Sequence, residues 1–168
     1  MKVIYYVPVP KKFIGLWEYY QVDLEALSDL FDEVVVCDSL WKVFAAMRNT
    51  KLIYCWWWHS SAPVVFIGKI LGFRTVVTGA IHMFDISGAP DFYTKSFLYR
   101  IASLVSLRLA DANLFISSDQ YRQVVSHLHV NNPIIVRSSL PRSHNYNLNN
   151  CLDHDDSRTA SGRKKYTF

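Results

Sequence analysis

Residues 52–78 read LIYCWWWHSSAPVVFIGKILGFRTVVT, and this stretch contains the plan of the whole chain. Leu52–Trp56 is a short, nearly continuous apolar run, as expected of a strand covered on both faces. Pro63 suits the first turn of a helix that runs to Leu71, and Gly72 suits its stop. A second apolar run, Arg74–Thr78, follows. Strand, helix and strand in this order make a βαβ unit, whose two strands lie parallel in one sheet.

Working outward, the same alternation repeats. Further strands are expected at Val3–Val7, Glu33–Cys37, Ala112–Ile116 and Ile134–Val136. Between them, Leu16–Leu30 places Leu16, Tyr20, Leu24, Leu27 and Phe31 on one face, with Glu18, Asp23, Glu25 and Asp29 largely outside it. Leu40–Met47 reads as a shorter helix, Thr94–Leu109 as the longest, and Ser118–Leu128 as a sixth-strand connector with Ser118 and Asp119 available as caps. The fold class is therefore α/β, a single Rossmann-like doubly wound parallel sheet with helices on both faces. After Leu140 the composition turns to Asn, Ser, Asp and charge without periodicity. A domain over residues 1–140 and a polar linker or tail over 141–168 are expected.

The composition sets bounds on function. At 168 residues, 51% hydrophobic and 15% aromatic, the chain can bury a sizeable core within about one domain. Its +4 formal charge is too mild for a dedicated nucleic-acid binder, so no nucleic-acid partner is expected. The charge is uneven: residues 1–41 carry 3 basic and 7 acidic side chains, residues 42–140 carry 10 and 4, and the last 28 carry 5 and 3. Lys95, Arg100 and Arg108, on or beside the Thr94–Leu109 helix, could face anionic lipid in a peripheral membrane contact, with a solvated basic surface as the slightly favoured alternative. Phe97–Ile116 is interrupted by Arg100, Arg108 and Asp111 and is not expected to span a bilayer. The run Val3–Val7 is short, ends at Pro8 and lacks a small-residue cleavage site, so it reads as a first strand rather than a signal peptide. Cys37, Cys55 and Cys151 are odd in number and widely spaced, which fits a reducing, cytoplasmic setting.

Candidate chemistry follows from the sheet. In open α/β sheets the loops after the strands' carboxyl ends form the ligand crevice. Gly15 and Glu18 follow the first strand at a helix N-terminus, placed to meet a polar or anionic group, but one glycine is not a dinucleotide fingerprint. Strand alternation puts Tyr54, Trp56 and Trp58 on one face and Cys55 and Trp57 on the other, and Trp58 and His59 lie past the strand, where a flat ring can touch a sugar or base. After Val76–Thr78, a long loop presents His82 and Asp85 three residues apart. Its imidazole can bond a hydroxyl or phosphate and change charge near neutral pH, and the carboxylate can orient it. The bland alternative is a histidine that satisfies loop backbone and an aspartate that caps a turn. Cys151, Asp153, His154, Asp155 and Asp156 lack paired ligand spacing, and His127 and His129 do not share a helix face, so no metal and no cofactor are expected.

Four pieces together resemble a known family: Gly15-Leu16-Trp17-Glu18 after the opening strand, Leu52-Ile53-Tyr54 leading to His59, Val76-Val77-Thr78 leading to His82, and Leu109-Ala110-Asp111-Ala112-Asn113-Leu114-Phe115-Ile116-Ser117-Ser118. Over residues 1–140 the chain is similar to the N-terminal, acceptor-side domain of retaining GT-B-fold glycosyltransferases of the family 4-like group. The resemblance implies catalytic roles for His82 and Asp85, and substrate-binding roles for Gly15, Glu18, Trp58 and His59. It also implies a sugar or lipid-linked acceptor, and a nucleotide-sugar donor held mainly by a second domain with a basic phosphate-binding pair and a Glu-x7-Glu motif. The single Glu-x7-Glu spacing in this sequence, Glu25 to Glu33, falls inside the first domain and not in a second one, and Lys164–Phe168 resembles the first strand of such a domain. A chain truncated before its donor half, inactive alone, is the expectation. The alternative is a stand-alone α/β module that binds a nucleotide or phosphosugar without chemistry.

Overall fold

Each apolar run picked out above becomes a strand, because two-sided burial rewards β-branched and aromatic residues without regard to alternation. The computed structural model describes residues 1–84, 88 and 90–136. Its strands are β1 (Lys2–Tyr6), β2 (Glu33–Cys37), β3 (Thr50–Trp56), β4 (Arg74–Gly79), β5 (Ala112–Phe115) and β6 (Pro133–Ile135). They form one six-stranded sheet, all parallel, in the order β2-β1-β3-β4-β5-β6. The expected α/β doubly wound fold is present. The strand order reverses between β1 and β3, and such a switch point opens a crevice at the carboxyl edge.

The helices are α1 (Lys11–Ile14), α2 (Glu18–Leu30), α3 (Leu40–Ala46), α4 (Trp58–Leu71), α5 (Phe97–Leu109) and α6 (Ser118–His127). Alternate residues of β1 feed two separate cores. Val3, Tyr5 and Val7 pack with Ile14, Tyr20, Leu24 and Leu27 of α1 and α2, together with Val34, Val36 and Trp56. Ile4 and Tyr6 face the other way, into a larger core with Ile53, Cys55, Val77 and Phe115 under Val43, Val64, Val65, Leu107 and Val124 of α3 to α6. Burial pushes both described thiols up, Cys37 to about 11 and Cys55 to about 12, so each behaves as a small apolar filler.

Cover on the two faces is unequal. The core on the α2 side draws its buried residues from β1, β2 and β3 and from none of the later strands. Strand pairing puts Val76, in register with Tyr54, and Leu114 and Ile134, in register with Trp56 through Thr78, on that same face. There Ile134, Ile116 and Val136 stay exposed. Half of one sheet face is therefore bare among the described residues.

Several boundaries differ from the sequence reading for local reasons. Helix α4 begins at Trp58, five residues before Pro63, because the carbonyl of Trp57 accepts the first helical bonds from Ser60 and Ser61 at 3.1 and 3.0 Å. Pro63 consequently lies inside the helix. Helix α5 starts at Phe97, with Ser96 as its cap accepting from the Tyr99 N–H, and Phe92–Thr94 forms a separate 3-10 turn. The α6 cap is Ser117 rather than Ser118 or Asp119. The expected boundary at residue 140 and the whole of 141–168 lie outside the described residues, as do Cys151 and the acidic group beside it. Among the described residues, no helix is long and apolar enough to cross a membrane.

Candidate functional site

The carboxyl edge is shaped by one tryptophan. Trp57 follows β3 with φ +71°, a left-handed backbone that side chains rarely adopt. Its N–H donates to the Thr78 carbonyl at 2.8 Å, which ties the turn to the end of β4. Directly opposite, Gly79 has φ +141°, and a Cβ there would meet the Trp57 nitrogen at 3.1 Å. The two turns fit only because one of them is glycine.

This turn resets the expected alternation. Tyr54 and Trp56 face α2, as a strand dictates, but Trp57 also lies on the α2 side, where its indole N–H donates to the Tyr20 hydroxyl at 3.1 Å. Trp58 is thrown to the opposite face. It is 2% exposed, donates its indole N–H to Asn113 Oδ1 at 2.8 Å and stacks on Phe115 with ring centroids 5.4 Å apart. The expectation that Trp58 reaches a ligand in the crevice is corrected: the left-handed residue before it points it into the α4–α5 core. His59 enters the same layer, stacked on Tyr99 at 4.4 Å, and partial burial lowers its pKa. It stays partly exposed, but it faces α5.

Gly15 and Glu18 flank the start of α2, both exposed. Gly15 adopts ordinary right-handed helical angles, and a Cβ there would find nothing nearer than Gln21 Nε2 at 4.0 Å. Neither backbone nor space requires a glycine at that position. His82 is exposed on the loop after β4, between the buried Ile81 and Met83. These two side chains anchor the loop, and the Met83 carbonyl receives the Asp91 N–H at 2.9 Å, so the imidazole is presented on a pinned segment. Asp85 lies outside the described residues.

The structure adds a feature that periodicity hid. Asp23, expected on the outer face of its helix, turns toward the sheet and accepts hydrogen bonds from the Tyr54 hydroxyl at 3.0 Å and the Trp56 indole at 2.9 Å, both on Oδ2. Burial holds its carboxyl above the ordinary value, and the two hydrogen bonds offset part of that rise. Beside it lies an open trough of about 390 Å³ between α2 and the bare half of the sheet, lined by Tyr19, Val22, Trp57, Ala80, Ile116 and Val136 among others. Sequence reading carried no signal for it, since a regular strand would send the rings of Trp56 and Trp57 to opposite faces.

Compared with protein families, curated proteins and solved structures, the chain matches none.

Proposed function

We propose that the chain is the acceptor-binding half of a retaining glycosyltransferase that moves a sugar from a nucleotide-sugar to a polysaccharide or lipid-linked acceptor. The observation that carries this reading is the exposed His82 on a pinned loop at the carboxyl end of β4, one strand from the switch point of an all-parallel sheet. Held between two buried anchors, its ring can meet an acceptor or transferred-sugar hydroxyl with little further ordering, which is the requirement for a positioned hydrogen-bonding or proton-transfer group. Asp85 would support the ring, and Gly15 with Glu18 would face the donor across the cleft. The nucleotide would be held by a second domain.

The test has two arms. Calorimetric titration of this chain with UDP- and GDP-sugars is expected to give no micromolar dissociation constant, and neutral oligosaccharides at millimolar concentration are expected to shift the His82 ring resonances. In the two-domain enzyme, His82→Ala is expected to lower transfer by about 10²-fold with the melting temperature unchanged. Micromolar nucleotide-sugar binding by this chain alone would favour the stand-alone phosphosugar module instead. A His82→Ala protein that is destabilised but keeps its activity per folded molecule would make His82 a loop staple.

A further inference from the structure

The trough on the α2 side has a definite place and a definite chemistry. Trp57, Ala80, Ile116 and Val136 each lie just past the ends of β3, β4, β5 and β6. It therefore opens at the carboxyl edge, and Ala80 is only two residues from His82. Its volume of about 390 Å³ falls in the usual range of ligand pockets. Val22, Ile116 and Val136, on its two sides, keep 37%, 41% and 42% of their surface exposed.

Four of the donors on the lining are already engaged. The Tyr54 hydroxyl and the Trp56 indole donate to Asp23, the Trp57 indole donates to Tyr20, and the Thr78 hydroxyl donates to the Leu114 carbonyl at 3.2 Å. A sugar ring entering here would exchange its water for mainly aliphatic and aromatic walls on which these four donors are already bonded. An anionic group would meet the Asp23 carboxylate, which has no cationic partner in an ion pair among the described residues. Methylene groups suffer neither penalty and cover the exposed aliphatic walls.

We propose that the trough binds the hydrocarbon chain of an amphiphile whose uncharged, hydroxyl-bearing head lies at the carboxyl edge beside the His82 loop. The placement of the head rests on the acceptor reading above; the hydrocarbon site does not. If both hold, the acceptor class is lipid-linked rather than a free polysaccharide.

The probe is n-octyl glucoside below its micelle-forming concentration, titrated into the full chain and followed by tryptophan fluorescence and by amide resonances of Ala80 and Ile116. Glucose alone and 1-octanol are run beside it. Saturable binding of octyl glucoside is expected, with no binding of glucose, and Ile116→Glu or Val22→Glu is expected to weaken it at least tenfold. Ile101→Glu, an equally exposed aliphatic on α5, controls for surface charge and should leave it unchanged. If octanol binds as tightly as octyl glucoside and His82→Ala changes neither, the hydrocarbon site stands and the acceptor reading fails. Absence of saturable binding overturns the proposal, as does binding that ignores Ile116→Glu and Val22→Glu. It is overturned equally by a chain dimer that Ile116→Glu dissociates, or by NMR contacts from residues 137–168 to Ile116, since each assigns the trough another occupant.

Discussion

Trp58→Ala is expected to destabilise the protein by about 3–5 kcal/mol, the cost of emptying a fully buried aromatic site. The indole packs on Phe115 and hydrogen-bonds Asn113, whose side-chain amide in turn donates to the carbonyls of Leu107 and Asn131 at 3.0 and 2.7 Å. Losing the ring thus opens a cavity and frees one acceptor of a buried amide that holds α5 and the approach to β6. Trp58→Phe separates the two effects, since it keeps much of the volume and loses only the indole N–H. Its cost is expected near 1–3 kcal/mol, the range for an unpaired buried polar group. Urea unfolding of the three proteins checks this. A Trp58→Ala protein as stable as the parent would return Trp58 to the crevice.

Asp23→Ala is expected to cost about 1–3 kcal/mol, because it leaves the Tyr54 hydroxyl and the Trp56 indole without their shared acceptor in a part-buried site. Asp23→Asn keeps an acceptor oxygen and should lose less. It should also change the pH profile. The folded-state pKa of Asp23 is raised, so the folded protein holds this proton more tightly than the unfolded chain does. That contribution to stability is complete below the ordinary carboxyl value of 3.8 and is lost as pH rises through the elevated folded value. Urea midpoints measured across the carboxylate range should show this decline in the parent and not in Asp23→Asn. Identical profiles would mean that Asp23 titrates as an exposed carboxyl.

How much of this was legible in the sequence differs from element to element. The strands were, because in a parallel sheet buried on both faces an unbroken run such as Val34-Val35-Val36 has no competing reading. Helix α2 was legible as amphipathic, yet Asp23 was assigned to water. Helical period ranks positions by polarity and cannot register that two donors on a neighbouring strand await an acceptor. The Trp56-Trp57-Trp58 run failed for a different reason. Alternation presumes a regular backbone, and the left-handed Trp57 is dictated by its bond to Thr78 and by the space above Gly79, 22 residues further along the chain. The start of α4 was missed because Pro63 is a familiar helix opener, and nothing local showed that the carbonyl of Trp57 would open the helix earlier. His82 was found because a histidine just past a strand end needs no tertiary information to be placed at the carboxyl edge.

The division of the interior by the sheet also bears on motion. The strands' two faces feed cores of unequal size, and among the described residues only α1 and α2 close the smaller one. A fluctuation that lifts α2 would break that smaller core and the Asp23 tie while leaving β1 and β3 supported from behind by α3 to α6. Opening free energy is therefore distributed unevenly, with the α2 layer at its low end. The layer that walls the trough is then the one that can move without unfolding the rest. Any ligand gripped between α2 and the sheet would be felt as slower amide exchange along Glu18–Leu30, far beyond the residues it touches.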